Sequence, residues 1–208
     1  AAKRYYAEIM MPFRSNIAKH LERLATYDID IIAPSHGPLY DDPSSIMGLY
    51  REWVAGLPAN KVVVPYVSMH GSTQVLVDRL VSDLADLDVA TVPHRLSTGD
   101  IGRLAMELVD SATVVFGCPT VLAGAHPAVV YAAFLANALR PKLQFASVVG
   151  SYGWGGRAVE QLTGLIPNLK VELLDPVIVK GLPHEADLKA IDELAGRIAD
   201  KHREAGLV

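Results

Sequence analysis

The chain has 208 residues, half of them hydrophobic and a fifth charged, with a formal net charge of −4. This length allows one or two domains with a sizeable core, and an acidic balance without a basic run argues against a nucleic-acid or anionic-membrane binder. A single cysteine excludes an internal disulfide, no apolar run reaches membrane-spanning length and no signal peptide is recognisable, so a cytoplasmic protein is expected.

Residues 3–40 read as the end of one unit whose beginning lies before Ala1. Ile17, Leu21 and Leu24 mark a short helix, and Ile29-Asp30-Ile31-Ile32-Ala33 predicts a strand. Pro34-Ser35-His36-Gly37-Pro38 then forms a tight loop. Asp41-Asp42-Pro43 opens a helix that runs through Leu49 and Trp53 and ends near Gly56-Leu57-Pro58. Residues 41–60 are taken as a linker helix, and residues 61–208 as a separate domain.

From Lys61 onward strands and helices alternate. Strands are expected near 61–67, 88–93, 112–117, 143–149 and 169–174, and helices near 72–86, 101–110, 127–139, 156–165 and 186–203. Val77, Leu80, Leu84 and Leu87 share one helix face; Leu188, Ile191, Leu194 and Ile198 share another. Thr113-Val114-Val115-Phe116 and Phe145-Ala146-Ser147-Val148-Val149 are apolar nearly throughout, as strands covered on both faces are. The pattern predicts an α/β domain with a doubly wound, five-stranded parallel sheet flanked by helices.

Ligands of such sheets bind beyond the carboxyl ends of the strands. Three loops fall there. After the first strand comes Ser68-Met69-His70-Gly71-Ser72-Thr73, leading into a helix N-terminus; its backbone N–H groups and hydroxyls suit a phosphate monoester. No Lys or Arg lies between Lys61 and Arg79, which disfavours a triphosphate site. The loop could also be a plain strand-to-helix turn with an N-cap. After the third strand comes Gly117 to Gly124, and after the fourth Gly150-Ser151-Tyr152-Gly153-Trp154-Gly155-Gly156. These two would clasp a flat ring, with Tyr152 or Trp154 stacking on it. A phosphate loop with two ring-clasping loops fits a mononucleotide such as FMN. Cys118 reads as a packed thiol rather than a nucleophile. His94, His126, His184 and His202 read as isolated surface or capping residues, and Asp83, Asp86 and Asp88 as a solvated face.

The ordered set Tyr66-x-Ser68-Met69-His70-Gly71-Ser72-Thr73, Gly117-x-Pro119-Thr120 and Gly150-Ser151-Tyr152-Gly153-Trp154-Gly155-Gly156 resembles the flavodoxin-like domain of flavodiiron proteins (A-type flavoproteins). Tyr5-Tyr6-Ala7-x-Ile9-Met10-Met11-Pro12-Phe13 and Ile31-Ile32-Ala33-Pro34-Ser35-His36-Gly37-Pro38 resemble the end of that family's metallo-β-lactamase-like diiron domain. The resemblance implies a strand order of 2-1-3-4-5 and a division into a diiron-domain tail (1–40), a linker (41–60) and an FMN-binding domain (61–208). It implies cofactor contacts from Ser68, Met69, His70, Gly71, Ser72 and Thr73, from Pro119, Thr120 and Val121, and from Ser151, Tyr152, Gly153, Trp154, Gly155 and Gly156. His36 matches the family's last histidine ligand to the diiron centre. The His-x-Glu-x-Asp-His motif has no counterpart, since His20-Leu21-Glu22-Arg23-Leu24 lacks its later ligands, so a complete diiron centre belongs only to a full-length protein. Val121-Leu122-Ala123 stands where many relatives carry asparagine.

The implied function is electron transfer by FMN in a flavodiiron oxidoreductase that reduces dioxygen to water or nitric oxide to nitrous oxide. No residue of this chain is expected to be catalytic itself. The implied donor is a rubredoxin, a flavin reductase or a reduced deazaflavin coenzyme, and the full-length protein is expected to be a homo-oligomer. Two rivals stand beside this reading. One is a stand-alone flavodoxin-like carrier or scaffold; the other is the binding module of a metallo-β-lactamase-like hydrolase. No Gly-x-Ser-x-Gly or Ser-His-Asp arrangement favours hydrolysis by another route.

Overall fold

The computed structural model describes residues 1–208. Helix α1 (Ala2–Tyr5) continues through a π-helical turn (Tyr6–Met10) and a 3-10 turn (Met11–Phe13) into α2 (Arg14–Leu24). Pro12, which has no N–H to give, sits where the regular ladder is interrupted. Tyr6, Ala7 and Met11 are buried against Trp53, Ala105, Val109 and Leu139, so this segment docks on the following α/β unit. The Tyr6 hydroxyl donates to the Trp53 carbonyl at 3.3 Å.

The strand expected over Ile29–Ala33 does not form. Only Ile32 pairs, through an isolated antiparallel bridge to Tyr40 with both N···O distances at 2.9 Å. The bridge closes the Pro34–Pro38 loop. Pro34 and Pro38 have no N–H to offer, and no neighbouring strand exists to extend the pairing. Helix α3 (Pro43–Val54) starts as expected, with the Asp42 carboxylate accepting from Ser45 N at 3.3 Å.

The remaining elements are β1 (Ala59–Tyr66), α4 (Ser72–Asp86), β2 (Ala90–Arg95), α5 (Ile101–Leu108), β3 (Ser111–Val121), β4 (Gly124–Ala125), α6 (Pro127–Leu139), β5 (Phe145–Tyr152), α7 (Ala158–Gly164), β6 (Glu172–Leu173), β7 (Val177–Lys180) and α8 (Glu185–Glu204). The sheet order is β2-β1-β3-β5-β6, with β7 also beside β5 and β4 folded back antiparallel on β3. This is the flavodoxin-like doubly wound order. Val62 and Val64 of β1 face the core under α4 and α8, while Val63 faces the core under α5, α6 and α7. That alternation explains a strand apolar at every position. No helix is long and apolar enough to cross a membrane.

Two details depart from the five-strand expectation. The edge strand expected at 169–174 is broken into β6 and β7 around Asp175-Pro176, because proline cannot supply a ladder N–H. And β3 runs past Gly117 to Val121, then returns through Leu122 (φ 49) and Ala123 (φ 61) as a tight two-residue hairpin.

The histidines divide. His126 and His184 cap α6 and α8, as expected. His94 and His202 are buried, against expectation. His202 lies with Nδ1 2.7 Å from Asn60 Oδ1 and Nε2 2.7 Å from Thr113 Oγ1. A neutral ring satisfies both partners by donating from Nδ1 to the Asn60 carbonyl and accepting the Thr113 hydroxyl.

Candidate functional site at the carboxyl ends of the strands

The first loop is shaped by its own side chains. Val67 N donates to Gly117 O at 3.0 Å, which holds the end of β1 against β3. The chain turns at Gly71, whose φ of 93 suits a residue without Cβ, and α4 begins. Ser68 Oγ accepts from Gln74 N at 3.1 Å and folds the loop onto the first helical turn. The N–H groups of Met69 through Thr73 donate to no acceptor in the protein. They form a donor set at the positive end of a 15-residue helix, the arrangement that binds an anion. Thr73 is 1% exposed, and its Oγ1 lies 3.4 Å from Ser151 Oγ, linking the first loop to the third.

The second and third loops are partly strand. Pro119, Thr120 and Val121 belong to β3, and Ser151 and Tyr152 to β5, so the sheet itself carries these residues outward. With the first loop they enclose a cleft of about 490 Å³. Ser68, Met69, His70, Ser72, Thr73, Pro119, Thr120, Val121, Ser151, Tyr152, Gly153, Trp154 and Gly155 all line it. Trp154 is 92% exposed and stands at the rim. Gly71 and Gly156 do not line the cleft. Gly156 instead brings the third loop onto the second: a Cβ there would collide with Thr120 Cγ2, and Arg157 N donates to Ala123 O at 2.9 Å.

Leu122 and Ala123, from the expected second loop, complete the wall together with Gly181 and Leu182, which were not anticipated from sequence. Gly181 and Leu182 follow β7 and are held by Gly181 N donating to Tyr152 O at 2.8 Å. The Lys180-Gly181-Leu182-Pro183 turn signal was present, but a misplaced edge strand hid where it would land.

No Asp, Glu, Lys or Arg lines this cleft. An anion placed there would meet only neutral donors. Cys118, just behind, is buried; its sulfur accepts from His126 N at 3.3 Å, and burial pushes the thiol up to about 11, so it is not a nucleophile at neutral pH.

His36 lies elsewhere, on the exposed loop bridged by Ile32 and Tyr40, with its ring 5.7 Å from that of Tyr5. It lines a mainly apolar cleft of about 560 Å³ together with Met10, Ile17, His20, Met47 and Tyr50. No group of three or more His, Cys, Asp or Glu residues able to hold a metal occurs in the chain.

No family model matches the chain. It is 33% identical over 203 residues to the nitric oxide reductase of Moorella thermoacetica, covering 95% of this chain and 51% of that protein. Among solved structures it matches the rubredoxin oxygen:oxidoreductase of Desulfovibrio gigas with a TM-score of 0.91 at 27% identity, over 98% of this chain and 52% of that one. The flavodiiron protein of Giardia intestinalis matches with a TM-score of 0.84 at 25% identity, again over 98% and 52%. The chain thus spans about half the length of the curated relatives it matches. Together with the doubly wound sheet order, these matches support the flavodoxin-like part of a flavodiiron protein.

Proposed function

We propose that the chain binds FMN in the cleft at the carboxyl ends of β1, β3 and β5 and serves as the electron-transfer domain of a flavodiiron oxidoreductase. The observation that carries this reading is the convergence of three loops, remote in sequence, on one cleft with an acceptor-free N–H set at its helical end. A volume of about 490 Å³ falls within the range of small-ligand sites. The residues present fit the group: Met69 through Thr73 would hold the phosphate, and Pro119, Thr120, Val121 and Ser151 through Gly155 would flank the ring. Gly71 and Gly156 would act by shaping the loops.

FMN supplies one- and two-electron chemistry when bound. The chain's part is to set its electronics. With no cation in the lining, nothing offsets negative charge added to the ring, which favours proton uptake or a low potential. The exposed Trp154 stands at the rim, where it would cover one edge of a bound ring.

In the complete protein, electrons would pass from a redox donor of the rubredoxin, flavin reductase or reduced deazaflavin type to a diiron centre that reduces dioxygen or nitric oxide. The Moorella and Desulfovibrio proteins are named for a nitric oxide and an oxygen reductase, which supports this class. The iron does not fit this chain alone, because no set of metal-ligating side chains is present. We assign His36 at most one ligand position in a centre completed by other residues. A homo-oligomer and a cytoplasmic location complete the proposal.

The test is a visible absorption spectrum of the purified chain with added FMN, with iron analysis on the same sample. A flavin spectrum at one FMN per chain with little iron is expected. Failure to take up flavin would reduce the three loops to turns and bring forward the scaffold or hydrolase-module reading.

A further inference from the structure

The opposite end of the sheet holds a second cleft, of about 740 Å³. It opens where the start of α2, the α3–β1 connection and the turns before β5 and β6 meet. Arg14, Arg140, Lys142 and Lys170 line it, and no carboxylate does. None of these four forms an ion pair. In a chain with a net charge of −4, four unpaired cations around one concavity are a concentration of charge against the average.

Two of the four heads are held in place without being neutralised. Arg14 Nη1 donates to Arg140 O at 3.1 Å, and Lys142 Nζ donates to Ala55 O at 3.0 Å. Each bond uses one donor of a fork of five or an ammonium of three and leaves the others free. Arg140 ends α6 with φ 50, a left-handed position where glycine is usual. Burial and the nearby Arg14 guanidinium lower Lys142, while Asp110 and Glu52 act the other way. Asp110 is already engaged by Lys3 at 3.1 Å and Lys61 at 2.8 Å.

We propose that this cleft binds a small anion carrying a chain of phosphates, and that the bound anion ties the N-terminal segment and the α3–β1 connection to the α/β unit. Four cations spread over a cleft of this size match several linked oxyanions rather than one. The site is not a route for electrons to the flavin cleft. Strand β5 has 8 residues, which at ~3.3 Å each separates its two ends by about 25 Å.

Isothermal titration of the 208-residue chain with inorganic tripolyphosphate, and in parallel with ATP, tests this at about 0.15 M ionic strength. Saturable one-to-one binding of tripolyphosphate is expected. The double variant Arg140→Gly, Lys170→Gln should weaken it at least about tenfold. Glycine suits the left-handed position, so this variant keeps the fold, and thermal unfolding checks that it does. The variant Ser72→Ala, Thr73→Val, at the other end of the sheet, should leave tripolyphosphate binding unchanged whether or not FMN is taken up. Equal affinities for the two probes would make the phosphate chain the whole ligand, and tighter ATP binding would add a nucleoside; both support the proposal. No saturable binding of either, or binding unchanged in Arg140→Gly, Lys170→Gln, overturns it. Binding of an acidic polyglutamate peptide alone overturns it in favour of a protein partner.

Discussion

Thr73 is a polar residue at 1% exposure whose hydroxyl reaches only Ser151 Oγ, at 3.4 Å. Its oxygen faces the third loop, so Thr73→Val removes the hydroxyl and keeps the volume. In the FMN reading this variant, combined with Ser72→Ala, should weaken FMN binding by about 1.5–3 kcal/mol for each lost charge-assisted bond. Unchanged affinity in a fluorescence titration would sink the phosphate-loop assignment. Leu122 is the opposite case. It is 95% exposed, touches the cleft only at its rim and holds φ 49 in a two-residue hairpin. Leu122→Gly should raise stability by about 1 kcal/mol, read as a higher urea midpoint, because a strained backbone is relieved and little packing is lost. A lower midpoint would mean that Leu122 packs in a way its exposure does not reveal. The residue scale is also where the sequence was most readable at the site. Thirteen of the lining positions lie in the three loops that the sequence places at strand ends, and the family resemblance implied each of them. Gly181 and Leu182 were invisible because their place depends on β7 pairing with β5, a contact set by distant residues.

Among the elements, those with one strong local signal were legible. Helices α4 and α8 follow from apolar periodicity, and α6 starts sharply at Pro127. Elements whose existence depends on a partner were not. Ile29–Ala33 has strand-forming residues but no strand to join, and β7 has few residues yet gains a place beside β5. The buried His202 belongs to the same class, since nothing local says that the last turns of α8 lie against β1 and β3. It stacks on Phe145 at 5.9 Å and bonds Asn60 and Thr113, and burial lowers it from 6.5 to about 4. The folded chain therefore keeps this ring neutral where the unfolded chain protonates it. The stabilisation is full above pH 6.5 and is lost as pH falls from 6.5 toward 4. Its size is about 3 kcal/mol. Urea unfolding at a series of pH values should show that slope in the native chain and a flatter one in His202→Gln, whose overall stability is lower. Equal slopes in the two proteins would remove His202 as the titrating group.

For the molecule as a whole, the two ends of the sheet differ in electrostatic design. The cleft at the carboxyl ends has no charged side chain in its lining, whereas the opposite cleft has four cations and no carboxylate. A phosphate monoester carries about −1.5 to −2 charges at neutral pH, so its capture by side-chain cations would be strongly screened by salt. Capture by backbone N–H groups and a helix end acts at contact, inside the loop, where mobile ions do not enter. The net charge of −4 adds only a weak long-range repulsion toward the phosphate, which salt relieves. FMN affinity should accordingly change by no more than about twofold between about 0.01 and 1 M ionic strength, with any change toward tighter binding at high salt. Tripolyphosphate affinity at the basic cleft should fall steeply over the same interval. Titrating both ligands on one preparation separates the two mechanisms without any substitution. If FMN binding weakened tenfold with salt, a cation outside the described lining, with Arg157 the nearest in sequence, would have to reach the phosphate, and the neutral-donor account of the site would fail.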